Sequence, residues 1–142
     1  MTHVVRTMCH EGCYLDHLNM IPGPNHNPGK LAIRPDNYLY AIKDELRHND
    51  KLQNIKDGPA PDDIGVIFRV NPADGSPAEN NPFLNDPNVA MHRYYAHGTR
   101  NSFGIAFDLI TGNLWEAENG EGTYDENNMI KTGGNYLPEV GR

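Results

Sequence analysis

Four short clusters of polar residues hold the chemistry available to this chain. His26 lies in Pro24-Asn25-His26-Asn27-Pro28-Gly29-Lys30-Leu31. An imidazole titrates near neutrality, so it can take and return a proton. Arg100-Asn101 follows Gly98-Thr99, and a guanidinium there offers a rigid donor fork to carboxylates. Glu118-Asn119-Gly120-Glu121 and Asp125-Glu126-Asn127 supply amide, carbonyl and carboxylate oxygens, the donors that a hard cation such as calcium prefers. Read alone, the acidic residues Glu116, Glu118, Glu121, Asp125 and Glu126 are a solvated edge, as charge runs usually are.

These residues need a scaffold that can aim them, and the chain reads as short strands and turns. Phe103, Ile105 and Phe107 alternate with Gly104 and Ala106, the period of a strand packed closely on both faces. Leu31–Ile33, Tyr38–Ile42, Ile64–Val70, His92–Ala96, Leu114–Ala117 and Asn127–Lys131 read as further strands. Pro35-Asp36-Asn37 and Thr111-Gly112-Asn113 are turns, because Asp, Asn and Gly accept the backbone that tight turns require. Val4–Met8 and Tyr14–Leu18 form two more strands around Glu11-Gly12. Ile21–Gly29 is a loop stiffened by proline, and His26 therefore precedes a strand. Residues 43–62 and 76–90 are long polar excursions. The spacing from Leu31 to Phe103 fits one four-stranded sheet with two inserts, after which a new sheet begins.

Composition narrows the partners. A formal net charge of −7 argues against a nucleic-acid surface and permits cation binding, since nucleic acid calls for clustered Lys and Arg. No apolar run is long enough to span a bilayer. Met1–Gly12 contains no apolar core of a secretory signal, so no signal peptide is expected in this chain. Cys9 and Cys13, with His10 and His17, can be drawn as a metal site, as thiols flanking a hairpin turn, or as a disulfide in an oxidising compartment.

Taken in order, the block around His26, Pro35-Asp36, Leu39-Tyr40, Arg100-Asn101, Glu118-Asn119-Gly120, Asp125-Glu126 and Gly133-Gly134-Asn135-Tyr136 resembles the glucose/sorbosone dehydrogenases. These are quinoprotein sugar dehydrogenases built on a six-bladed β-propeller. The resemblance implies an all-β chain, residues 1–142 forming one partial β-propeller domain. With about 40–45 residues per blade and about 4–8 blades per ring, the chain holds about two to three blades. It implies His26 as general base on the anomeric hydroxyl of an aldose, oriented by Asp44, with hydride passing to pyrroloquinoline quinone (PQQ). Arg100, Asn101 and Asn119 would contact the quinone. The carbonyls of Gly120 and Glu121 would hold the cofactor calcium (Ca2+), and Glu126 a second, structural calcium with Tyr136 beside it. The partners implied are a sugar substrate, an electron acceptor and, in the complete protein, a second copy as a homodimer. The compartment implied is periplasmic or extracellular. Pro28, Arg34 and Lys43 stand where the family carries glycine. They favour the other reading, a propeller-derived binding or interaction module without catalysis, or an inactive fragment.

Overall fold

A computed structural model describes residues 29–34, 36–45, 63–120 and 124–136. The two strands expected before residue 20, His26, Cys9 and Cys13, and most of the 43–62 excursion lie outside the described residues. Within them the chain forms two antiparallel sheets. The first is β1 (Leu31–Ile33), β2 (Leu39–Lys43), β3 (Val66–Val70) and β4 (Tyr94–His97), paired in chain order. The second is β5 (Ser102–Phe107), β6 (Leu114–Glu118) and β7 (Glu126–Ile130), also in chain order. This is the four-stranded blade with a second blade beginning after it, as the spacing predicts.

The turns form for the expected reasons. Asp36 Oδ1 accepts the Tyr38 N–H at 3.1 Å. Asn37 takes the left-handed conformation, which Asn tolerates better than most residues. In the β5–β6 hairpin Asp108 Oδ1 accepts the Ile110 N–H at 2.9 Å. Gly112 supplies the positive φ that closes the turn, at no steric cost because it has no Cβ.

Strand bounds shift by a residue at β2, β6 and β7, and three larger departures from expectation each have a local cause. β3 starts at Val66 rather than Ile64. Asp63 and Gly65 are both left-handed, and that conformation breaks an extended run. β4 starts at Tyr94 rather than His92. The Asn88 side chain accepts the Ala90 N–H at 3.1 Å and opens a 3-10 turn over Val89–Arg93, so His92 and Arg93 belong to that turn. In β5 the register shifts between Ser102 and Gly104, as at a β-bulge. The shift leaves Phe103 exposed while Ile105 and Phe107 pack inward. A Cβ built on Gly104 meets nothing within 4 Å, so the close backbone approach expected there is not made among the described residues.

Strand β2 is buried along its whole length. Leu39 and Ala41 pack on one side with Val66, Phe68, Val70 and Tyr94, and Phe83 and Met91 from the 71–93 insert cover them. Tyr40 and Ile42 pack on the other side with Ile67, Ala96, Leu114 and Ile130, which is the layer between the sheets. Tyr40 anchors that layer. Its ring meets Phe107 edge-on at 4.9 Å and Tyr95 at 5.1 Å, a geometry that aligns the positive edge of one ring with the negative face of another. The chain then returns. The Gly133 N–H donates to Tyr95 O at 2.8 Å and the Tyr136 N–H to His97 O at 2.9 Å, so residues 133–136 run beside β4.

Tyr40→Ala is expected to cost about 3–5 kcal/mol in urea denaturation, since it removes a wholly buried ring from between the blades. Tyr40→Phe should cost about 1 kcal/mol, because it keeps the ring and removes a hydroxyl that bonds Asp36 at a long 3.4 Å and interacts with Arg34.

Candidate functional site

In an antiparallel meander, the C-terminal ends of even strands and the N-terminal ends of odd strands lie together. That rule gathers Asp44 after β2, Arg100 and Asn101 before β5, Glu118 and Asn119 at the end of β6, and Glu126 at the start of β7. Alternation then selects which side chains enter the space between the sheets. On β2, Tyr40 and Ile42 face the second sheet, and Asp44 is next in that series. On β6 the series is Leu114, Glu116 and Glu118, and the register sets these opposite Ile130, Asn128 and Glu126 of β7. The layer is therefore apolar at one end and acidic at the other.

Asp44 has no exposed surface, and Glu116 and Glu118 are also buried. The Ser102 N–H donates to Asp44 Oδ2 at 2.7 Å across 58 residues of chain. Asp44 Oδ1 and Glu116 Oε1 have no hydrogen-bond partner among the described residues. Burial pushes the Asp44 carboxyl up to about 9, against the Ser102 N–H, with Glu118, Glu116 and Glu45 adding to the rise. Burial, with Glu116 beside it, raises Glu118 to about 7. In both, loss of hydration disfavours the charged form and like charges add to the effect. Glu116 is likewise raised, first by burial, although Asn128 Nδ2 donates to its Oε2 at 3.2 Å.

Arg100 and Asn101 are laced to the end of β6. The Arg100 N–H donates to Glu118 Oε2 at 3.3 Å, Arg100 Nη1 to Asn119 O at 3.2 Å, and the Asn119 N–H to Asn101 O at 2.9 Å. Gly120 follows in a tight place. A Cβ there would overlap the Tyr124 carbonyl, so only glycine lets the two backbones meet. Glu121 and His26 lie outside the described residues.

Tyr136 differs from the expectation that it stands beside Glu126. Its hydroxyl accepts the Lys131 N–H at 2.6 Å and donates to Met129 O at 3.0 Å, beyond the far end of β7 from Glu126. Its ring fills the hydrophobic layer, and only its backbone reaches the site end of β4. The acidic run is also not one solvated edge. Asp125 and Glu126 are exposed, but Glu116 and Glu118 point inward. The alternation Leu114-Trp115-Glu116-Ala117-Glu118 carries that information once Leu114 is assigned inward. Nothing in the sequence marks Ser102, whose contribution is a backbone N–H. Among the described residues no three His, Cys, Asp or Glu side chains form a metal-holding group.

The glucose/sorbosone dehydrogenase family profile matches residues 13–140. The chain belongs to that family. It is 41% identical over 122 residues to an uncharacterized protein of Synechocystis sp., covering 81% of this chain and 29% of that one. It is 31% identical over 126 residues to quinoprotein glucose dehydrogenase B of Acinetobacter calcoaceticus, covering 79% of this chain and 25% of that protein. Among solved structures, an oxidoreductase of Thermus thermophilus described as a glucose dehydrogenase superposes with a TM-score of 0.69 at 34% identity, over 82% of this chain and 34% of that one. The soluble aldose sugar dehydrogenase of Escherichia coli, in its apo-form, superposes at 0.66 with 23% identity over 82% of this chain and 33% of that one, which speaks for the fold. The chain is thus an all-β part of a β-propeller and spans about a quarter to a third of the length of these relatives.

The raised carboxyls set a direction for stability. A group whose folded pKa exceeds its unfolded value contributes fully below the unfolded value, and that contribution is lost as pH rises through the folded one. For Asp44 the window runs from 3.8 to about 9. The urea midpoint of the cofactor-free protein is expected to fall steadily across that window. Asp44→Asn should flatten most of the slope, and a midpoint that rises with pH would contradict the burial of these acids.

Proposed function

We propose that this chain supplies about two to three blades and part of the active site of a quinoprotein aldose dehydrogenase. The reaction is oxidation of an aldose at its anomeric carbon to the lactone. The observation that supports it is the gathering of Asp44, Arg100-Asn101 and Glu118-Asn119-Gly120 at one end of two adjacent sheets. We read residues 1–142 as one partial domain. Two sheets do not close a ring, so turnover is expected only where the remaining blades are present.

The donor set suits the cofactor and ion of this family. The Gly120 backbone sits where a side chain would not fit, and it would offer its carbonyl, with that of Glu121, to calcium. Arg100 is held in one orientation through Nη1 and would meet the acidic and quinone oxygens of PQQ, with Asn101 and Asn119 beside it. When bound, the quinone supplies the hydride acceptor and the calcium polarises it. The chain's own work is to hold and to move a proton. His26 would take the proton of the anomeric hydroxyl, and Asp44 would orient that imidazole through its remaining oxygen, Oδ1. Glu126, exposed at the start of β7, would serve a structural calcium. An electron acceptor and a second copy would be met by the complete protein, in a periplasmic or extracellular setting. No helix among the described residues is long and apolar enough to cross a membrane.

A specific feature favours a second reading. Lys43 is buried directly before Asp44, and one Asp44 oxygen already serves the backbone of Ser102. A propeller-derived binding module needs no more than that.

Reconstitution separates the two. With calcium and PQQ present and the remaining blades supplied, retention of the quinone absorbance on gel filtration and aldose-dependent dye reduction are expected. In that preparation His26→Ala should abolish turnover and leave the quinone bound, whereas loss of the quinone would make His26 structural. Arg100→Ala should weaken PQQ about tenfold or more, the scale of one charge-assisted hydrogen bond. Failure to retain PQQ at micromolar concentration would favour the binding module.

A further inference from the structure

The family resemblance assigns Asp44 to an imidazole on its own side of the site, yet its best bond in the structure runs to the other blade. The carboxyl is wholly buried, and its Oδ2 accepts the Ser102 N–H at 2.7 Å. The next residue repeats the link, as the Glu45 N–H donates to Arg100 O at 3.1 Å. The backbone of Asp44 is held in turn. Its carbonyl accepts the Gly65 N–H at 3.2 Å, and Gly65 O accepts the N–H groups of Gly98 at 2.7 Å and Thr99 at 3.3 Å. Gly65 has a positive φ, and that left-handed conformation, open to glycine, places both its groups within this web. Residues 98–102 are therefore bonded to the end of β2 and the start of β3 at both their beginning and their end. Arg100 and Asn101 lie inside that clamped span.

We propose that Asp44 is a positioning residue for the Arg100-Asn101 pair, acting from the first blade through the Ser102 N–H of the second. The pair sits in the crossing between the sheets, between the end of β4 and the start of β5 and outside both strand ladders. Its side chains face the site only if the crossing is fixed from both sides. Glu118 holds it from β6 through the Arg100 N–H, and Asp44 holds it from β2. A short bond to a buried carboxyl, shielded from water, is the strongest of these ties. The role needs an acceptor at Oδ2 and leaves Oδ1 for another partner. Asn at position 44 preserves it, and Ala does not. The consequence for PQQ rests on the proposed function; the bond to Ser102 does not.

Amide hydrogen exchange on the cofactor-free chain tests the positioning role directly. The Ser102 amide should be strongly protected in the wild type and stay so in Asp44→Asn. In Asp44→Ala it should exchange about tenfold or more faster, while amides of the β5–β6 ladder such as Ala106 are unchanged. Equal protection of Ser102 in Asp44→Ala and wild type would overturn the proposal. Where Asp44→Ala does not fold, Asp44→Asn still decides: loss of Ser102 protection there would show that charge rather than acceptance matters, and would also overturn it. In the reconstituted protein, Asp44→Ala should raise the Kd for PQQ about tenfold and Asp44→Asn should leave it near wild type. If both variants lower kcat alone with Kd unchanged, Asp44 serves only an imidazole and the proposal falls. If the wild type itself retains no PQQ, the functional reading fails while the exchange result on Ser102 still stands.

Discussion

Leu39 and Ala41 on one face of β2, and Tyr40 and Ile42 on the other, keep water from both sides of a single strand. A strand in that position cannot slip by one residue. Slippage would exchange Tyr40, which fits between two aromatic rings, for Leu39 or Ala41, which do not. The locked register carries on past the strand end and delivers Asp44 to the space between the sheets. Every contact at the site end descends from it: the bond to Ser102, the held crossing at Arg100 and Asn101, and the meeting of that crossing with Asn119. The site is precise because it continues a packed core, even though its residues sit at strand ends and on connections.

The layer between the sheets also explains its own electrostatics. The alternation that buries Leu114 and Ile130 buries Glu116 and Glu118 two and four residues further along β6. Carboxyls placed there lose hydration and gain one another as neighbours, so their charged forms are disfavoured. An environment of this kind discriminates strongly between a bare anion and one that meets a donor or a cation.

Much of this was legible from residue pattern. The turns at Asp36-Asn37 and at Thr111-Gly112 could be read because Asx side chains and glycine satisfy particular backbone demands, and such demands are local. The division into one four-stranded sheet and the start of another followed from strand count and spacing. Local pattern was less informative where a distant segment decides. Gly65 delays the start of β3 because its backbone must meet Gly98 and Asp44, and Phe103 is turned outward by a bulge against β6. Ser102 was invisible because an N–H has no residue type. Tyr136 shows the opposite limit: family position suggested a place near Glu126, while its ring follows the hydrophobic layer toward Met129.

The return of Gly133–Tyr136 along β4 has a bearing on how the molecule behaves in company. A sheet's last strand offers unpaired amides and carbonyls to any extended peptide that drifts past. Here the chain lays its own backbone there, in the parallel sense, with His97 opposite Asn135. That margin of the first blade is occupied from within, so recruitment of foreign strands at β4 is blocked without a charge or a proline being spent on it.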